Sequence, residues 1–219
     1  MLVSWRWLNR HRWLAFALVV AGFALIAFAE FADELLEGSL TAVDRIILDI
    51  LRPYRSDLLF ALAVHLSELI RSIYMVLLAL PFIVYLIWTR RYRVLTALLA
   101  VPSAAMLMVF VAKLIFSRQR PVTAVVQEFG HSFPSGHATG ATVIYGLLGY
   151  IAVRYMTKTP WLQWVITAIT LALIVSTGLA RIYLEVHYPS DVAAGWAAGT
   201  FILVGTLIAL ETWPSRRES

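Results

Sequence analysis

Six apolar stretches leave this chain little choice of fold. They run from Trp13 to about Ala32 and over about 72–88, 94–112, 137–154, 161–179 and 190–210. Crossing a bilayer takes about 20 consecutive apolar residues in a helix. In hydrocarbon every backbone N–H and C=O must be satisfied within the chain, so such runs form helices. The expectation is an all-α integral membrane protein: a six-transmembrane helix bundle forming one domain over residues 1–219. Composition agrees, with 61% hydrophobic and only 14% charged residues, against about a quarter charged in soluble domains. There are no cysteines, which excludes disulfides and thiol catalysis. The net charge of +5 does not imply nucleic acid, because the basic residues lie at span ends and in short motifs. The partner it implies is the bilayer.

The first run is long for the hydrophobic part of a signal peptide, although Ala27-Phe28-Ala29 resembles a cleavage site, so a retained span is expected. Eight of the thirteen acidic residues lie between Glu30 and Glu68. Val43, Ile46, Ile47, Ile50 and Leu51 recur there at helical spacing. This predicts interfacial amphipathic helices between spans 1 and 2, over residues 33–71; a surface loop is the alternative. With six spans, Arg6, Arg10, Arg12, Arg90, Arg91, Arg93, Arg154, Lys158, Arg216 and Arg217 fall on one side, ten of the eighteen Lys and Arg. The positive-inside rule then puts both termini in the cytoplasm. Trp13, Trp88, Trp161, Trp164 and Trp213 lie near span ends, where an aromatic belt is expected.

Three polar clusters fall on the opposite, outer side, all within residues 113–191. The first holds Lys113, Arg118, Arg120 and Pro121. Its cations suit phosphate oxygens, and equally suit lipid headgroups at an interface. The second is Pro134-Ser135-Gly136-His137 at a helix start, where free N–H groups and the helix dipole bind anions. Gly136 allows close approach to the backbone. Ser135 can cap the helix, donate to a phosphate, or both. His137, one turn into a membrane helix, is a candidate general acid. The third cluster runs from Arg181 to His187 and Asp191. Four residues apart on a helix, Asp191 can reach His187. A carboxylate that accepts from one ring nitrogen leaves the other nucleophilic; an interfacial ion pair is the plainer alternative. Gly136/Gly140 and Gly195/Gly199 have the spacing of close helix packing in lipid.

In this order, Lys-x6-Arg-Pro, Pro-Ser-Gly-His and Arg-x5-His-x3-Asp resemble the signature of the type 2 phosphatidic acid phosphatase superfamily, which includes vanadium haloperoxidases. The resemblance implies a membrane lipid phosphatase without a metal or other cofactor, in a bacterial cytoplasmic membrane and acting at its outer face. By position, it implies that His187 attacks phosphorus to form a phosphohistidine and that Asp191 orients it. His137 would protonate the leaving oxygen. Lys113, Arg120, Ser135, the Gly136 N–H and Arg181 would hold the phosphate. The third motif usually begins Ser-Arg; here it is Ala180-Arg181, which removes one hydroxyl. Arg118 and His131 lie outside the core pattern and would at most support the site or its choice of substrate; Glu128 and Glu185 could tune pKa values, but a solvated role is expected. His65 and Glu68 could reach only the rim.

Candidate substrates are undecaprenyl pyrophosphate, phosphatidylglycerophosphate, phosphatidate and lipid A phosphate. A lipid phosphotransferase would use the same site. A metal-binding membrane protein or transporter could use His131, His137, His187 and Asp191 as ligands, but four nearby cations repel a metal and attract an anion. The short loops argue against a haloperoxidase, and the full set of catalytic groups against a binding scaffold.

Overall fold

The computed structural model describes residues 5–71 and 73–213, with side chains over 12–69 and 74–213. Trp5, Trp7, Arg6 and Arg10 near the start, and Arg216 and Arg217 in the tail, lie outside the described side chains. The chain is all-α, with no strand among the described residues. In order come α1 (Trp5–Glu37), α2 (Leu40–Leu51), α3 (Asp57–Arg71) and α4 (Ile73–Trp88). They are followed by α5 (Tyr92–Phe116), α6 (Gly136–Ile151), α7 (Pro160–Tyr183) and α8 (Pro189–Thr212). A 3-10 turn, Arg52–Tyr54, follows α2, and a π-helical turn, Ala152–Met156, follows α6. Prolines open α7 and α8, where the missing N–H costs nothing and φ is already helical.

Among the described residues five helices are long and apolar enough to cross a membrane: α1, α5, α6 with its π turn, α7 and α8. The expected span at 72–88 is α4 alone, with 16 residues. At 1.5 Å per residue it falls short of a hydrocarbon core about 30 Å thick. Taken together across a 44° bend, α3 and α4 have the length and composition of a broken span or a re-entrant loop. The outer faces are apolar and exposed: Phe16, Val19 and Phe23 on α1, Leu107 and Ile115 on α5, Trp164 and Ile169 on α7. Water would not tolerate so large an apolar surface, and lipid does.

Within the acidic segment α2 is an amphipathic helix, as expected. The helical stripe Val43, Ile46, Ile47, Ile50 and Leu51 points outward. The inward face of α2 is Leu40, Asp44 and Leu48, so a carboxylate is carried into the bundle.

α6 lies at the centre, against α5, α7 and α8, and α1 runs along α8. Small residues make this closeness possible. Ala17, Ala21 and Ala24 are the buried positions of α1 among the described residues. On α8, a Cβ at Gly199 would sit 2.6 Å from Thr142 of α6.

The two ends of the bundle differ in chemistry. At one, Arg93 donates to the Trp213 carbonyl at 2.6 Å, Arg91 stacks on Tyr155 at 4.2 Å, and Arg154 pairs with Glu211 at 3.1 Å. Trp88, Trp161, Trp164 and Trp213 are exposed around that end. The alternating helix directions bring the end of α5, the start of α6, the end of α7 and the start of α8 together at the other. All three polar clusters are there.

Candidate active site

Each catalytic candidate occupies a helix terminus or the loop beside it. Lys113 is in the last turn of α5, and its ammonium donates to the His131 carbonyl. Ser117, left-handed at φ 47°, ends α5 and turns the chain into the 117–135 loop. The helix runs four residues past the expected span of about 94–112. The Ser132 N–H donates to the Arg118 carbonyl at 2.8 Å and closes the loop.

Ser135 is the N-cap of α6, and its hydroxyl oxygen accepts from the Ala138 N–H at 3.4 Å. The Ser135 N–H donates to the Asp191 carbonyl at 2.9 Å, which ties the start of α6 to that of α8. A Cβ at Gly136 would meet only Val109, at an ordinary 3.5 Å. Protein packing therefore does not require glycine there, and the approach of a ligand remains the expected reason. His137, second residue of α6, has its Nε2 buried.

His187 and Asp191 are almost wholly buried, at 1% and 0% exposure. His187 Nδ1 lies 3.5 Å from Asp191 Oδ2, which also accepts the Tyr188 N–H at 2.9 Å. His187 Nε2 lies 3.2 Å from Nη1 of Arg120. A guanidinium can only donate, so this contact assigns Nε2 as the acceptor and puts the ring proton on Nδ1, towards Asp191. The ring is thus neutral, with its lone pair aimed at the cations. Burial pushes the His187 pKa down to about 4; Asp191 opposes this, and Arg120 and Lys113 assist it.

Arg120 also donates to the carbonyls of Gly130, Phe129 and Val186, at 3.0, 3.2 and 2.7 Å. Arg181, buried at the end of α7, donates to Glu128 at 2.7 Å, and the second Glu128 oxygen lies 3.9 Å from Arg120. Lys113 is close enough to interact electrostatically with Arg120, Arg181 and Asp191. The structure thus brings all eight predicted site residues to one end, with Lys113, Arg120, Arg181, His187 and Asp191 electrostatically linked.

Two carboxylates correct the sequence reading. Glu128 is not solvated but paired with Arg181. Glu185 is 2% exposed, at φ 51°, and takes Arg52 at 3.0 Å and also Arg55. Burial works against its charge, but Arg52, Thr123 and Arg55 outweigh that and hold it below the usual carboxylate range. This clasp fixes the α2–α3 connection to the turn that carries His187. His65 is exposed on α3, and His131 takes part through its carbonyl.

Two further residues escaped sequence reasoning in part or whole. Arg118, 8% exposed, donates to Asp191 Oδ1 and to Asp44 Oδ2, each at 2.6 Å. The Ser190 hydroxyl donates to Asp44 Oδ2 at 2.5 Å, and the Ser190 N–H to Asp44 Oδ1 at 2.9 Å. The Tyr188 ring covers the Arg118 guanidinium at 4.1 Å. A charged residue on an otherwise regular amphipathic helix was the only available signal for Asp44. Among the described residues no group of three or more His, Cys, Asp and Glu could hold a metal ion.

The sequence model of the PAP2 superfamily matches residues 93–214, and the chain belongs to that superfamily. It is 33% identical to phosphatidylglycerophosphatase B of Bacillus subtilis over 89 residues, 39% of this chain and 42% of that protein. It is 29% identical to an undecaprenyl-diphosphatase of Sulfolobus acidocaldarius over 99 residues, 42% of this chain and 43% of that protein. The matched stretch therefore spans about two-fifths of each curated relative. Its fold is that of a transmembrane PAP2-type phosphatidylglycerolphosphate phosphatase from Bacillus subtilis, with TM-score 0.82 at 23% identity, over 90% of this chain and 98% of that one.

Proposed function

We propose that this chain is a single-domain membrane lipid phosphatase that works through a phosphohistidine without a metal. The observation that carries the reading is His187, buried and neutral, its Nδ1 facing Asp191 and its Nε2 facing the guanidinium of Arg120. A phosphate entering at Nε2 takes over donors that Arg120 now gives to loop carbonyls, with Lys113, Arg181, Ser135 and the Gly136 N–H around it. Nε2 attacks the terminal phosphorus, the bond to the leaving oxygen breaks (the bridging oxygen of a diphosphate or the lipid oxygen of a monophosphate), and His137 gives that oxygen its proton. His137 then takes a proton from water as the water oxygen attacks phosphorus. The P–N bond breaks, inorganic phosphate leaves, and both histidines return to their starting states. The cations stabilise charge on the phosphoryl oxygens throughout.

The site lies where helix ends meet, which suits a substrate whose tail stays in the bilayer. Arg91, Arg93, Arg154 and the exposed tryptophans at the other end support an active site on the outer face of a bacterial cytoplasmic membrane. Undecaprenyl pyrophosphate is the first choice of substrate, ahead of phosphatidylglycerophosphate, phosphatidate and lipid A. The relatives' names support a lipid phosphate or diphosphate. The test is phosphate release by the purified protein in detergent and EDTA, on those four lipids. Release that survives chelation is expected. Release that needs added metal would overturn the metal-free reading, and no release from any of them would overturn the hydrolase.

The pH profile provides a second test. Only neutral His187 is nucleophilic, and its depressed pKa keeps it neutral from about 4 upward. After allowance for the substrate's own ionisation, the acid limb of kcat/KM is expected near pH 4. A limb near the ordinary imidazole value of about 6.5 would show that the nucleophile is not this buried ring.

A further inference from the structure

Arg118 raises a difficulty that Asp44 resolves. An Asp191 carboxylate is useful to His187 because it offsets the positive charge the ring acquires on attack. Yet Arg118 donates to Asp191 at 2.6 Å in a buried setting and would cancel that charge. On its other side Arg118 donates to Asp44, also at 2.6 Å and 2% exposed. Asp44, Arg118 and Asp191 together carry one net negative charge. When Nε2 bonds to phosphorus, the ring becomes positive and the buried group becomes neutral. Without Asp44 the group would start neutral and end with one uncompensated buried positive charge, which is the costly arrangement.

Resting on the phosphohistidine reading, we propose that Asp44 and Arg118 are positioning residues that hold Asp191 in place and return to it the negative charge His187 needs. Arg118 fixes Oδ1 of Asp191, which leaves Oδ2 to the Tyr188 N–H and the His187 ring. Ser190 ties the α2 carboxylate to the first turn of α8 through both its hydroxyl and its N–H. Asp44 lies outside residues 93–214, which the superfamily model covers. The acidic segment ahead of the motifs thus completes the site.

The experiment compares the full-length wild type with Asp44→Asn, which keeps the shape and removes the charge. It reads kcat, KM and competitive inhibition by inorganic phosphate. The phosphate-holding groups are untouched, so KM and the inhibition constant are expected to stay within about twofold. A fall in kcat of roughly ten- to a hundredfold is expected, the scale for groups that orient a reacting ligand from behind. Unchanged kcat would overturn the proposal. So would a joint loss of kcat and phosphate affinity, the mark of a loosened fold. If Asp44→Asn does not purify as folded protein, Ser190→Ala decides, since it removes one tie and leaves all charges. A severalfold fall in kcat with unchanged phosphate inhibition is then expected, and unchanged kcat overturns the proposal. A wild type that releases no phosphate is a different failure, that of the phosphatase reading itself.

Discussion

His187→Ala is expected to lower lipid phosphate release by roughly 10⁴-fold or more, the scale on which enzymes lose activity with their nucleophile. Nε2 is the ring atom turned toward Arg120, and alanine carries no nucleophile. Asp191→Asn should cost less, roughly 10³- to 10⁴-fold, because an amide still fills the site but favours the wrong tautomer. The two changes act on one step, so the double variant should be no slower than His187→Ala alone. Wild-type protein mixed with a substrate labelled at phosphorus should carry an acid-labile, base-stable phosphoryl group, and His187→Ala should carry none. Full activity in His187→Ala, or an undiminished label, would remove His187 from the nucleophile's role. The variant should remain folded. The ring lies among Asp191 of α8, Arg120 of the 117–135 loop and Lys113 of α5, but its own bonds are few, and the Asp191–Arg118 pair stays satisfied without it.

Much of this was legible because membrane folding and phosphate chemistry both leave local marks. An apolar run of about 20 residues is read directly as a span. Lys113, Arg120, Ser135, Gly136, His137, Arg181, His187 and Asp191 stand out as polar residues where the chain is otherwise apolar, and the structure gathers them. What was not legible depends on partners far away in sequence. Asp44 has the same local pattern as a solvated residue on an amphipathic helix; only Arg118 and Ser190, 74 and 146 residues away, show that it is buried. The burial of Glu185 depends likewise on Arg52 and Arg55, 133 and 130 residues earlier. The bend between α3 and α4 follows from neither hydropathy nor composition, since α4 read alone is simply a short span.

Gly195→Ala is expected to reduce kcat by about a hundredfold while the protein remains assembled in the membrane. A Cβ at Gly195 would lie 2.7 Å from the Ser135 carbonyl and 2.9 Å from the Ala138 Cβ. Real Cβ atoms do not come so close to backbone, and a backbone carbonyl cannot turn aside as a flexible side chain does. The start of α6 must therefore move away from α8. That interface joins the two halves of the site: α6 carries Ser135, Gly136 and His137, and α8 follows His187 and carries Asp191. The bond from the Ser135 N–H to the Asp191 carbonyl crosses the same seam and would lengthen with it. A displacement of about 1 Å between reacting groups is enough for a loss of about 10² in rate. The rest of the α6–α8 contact holds the bundle together, and the overpacking cost of roughly 1–3 kcal/mol is one a membrane bundle can absorb. Gly205, also on α8, is the control: nothing lies within 4 Å of a Cβ there, so Gly205→Ala should leave turnover unchanged. Equal activity in the two variants would mean that the spacing of α6 and α8 does not set the geometry of phosphoryl transfer. A selective loss in Gly195→Ala would place the requirement for glycine in the alignment of His137 with His187, rather than in folding.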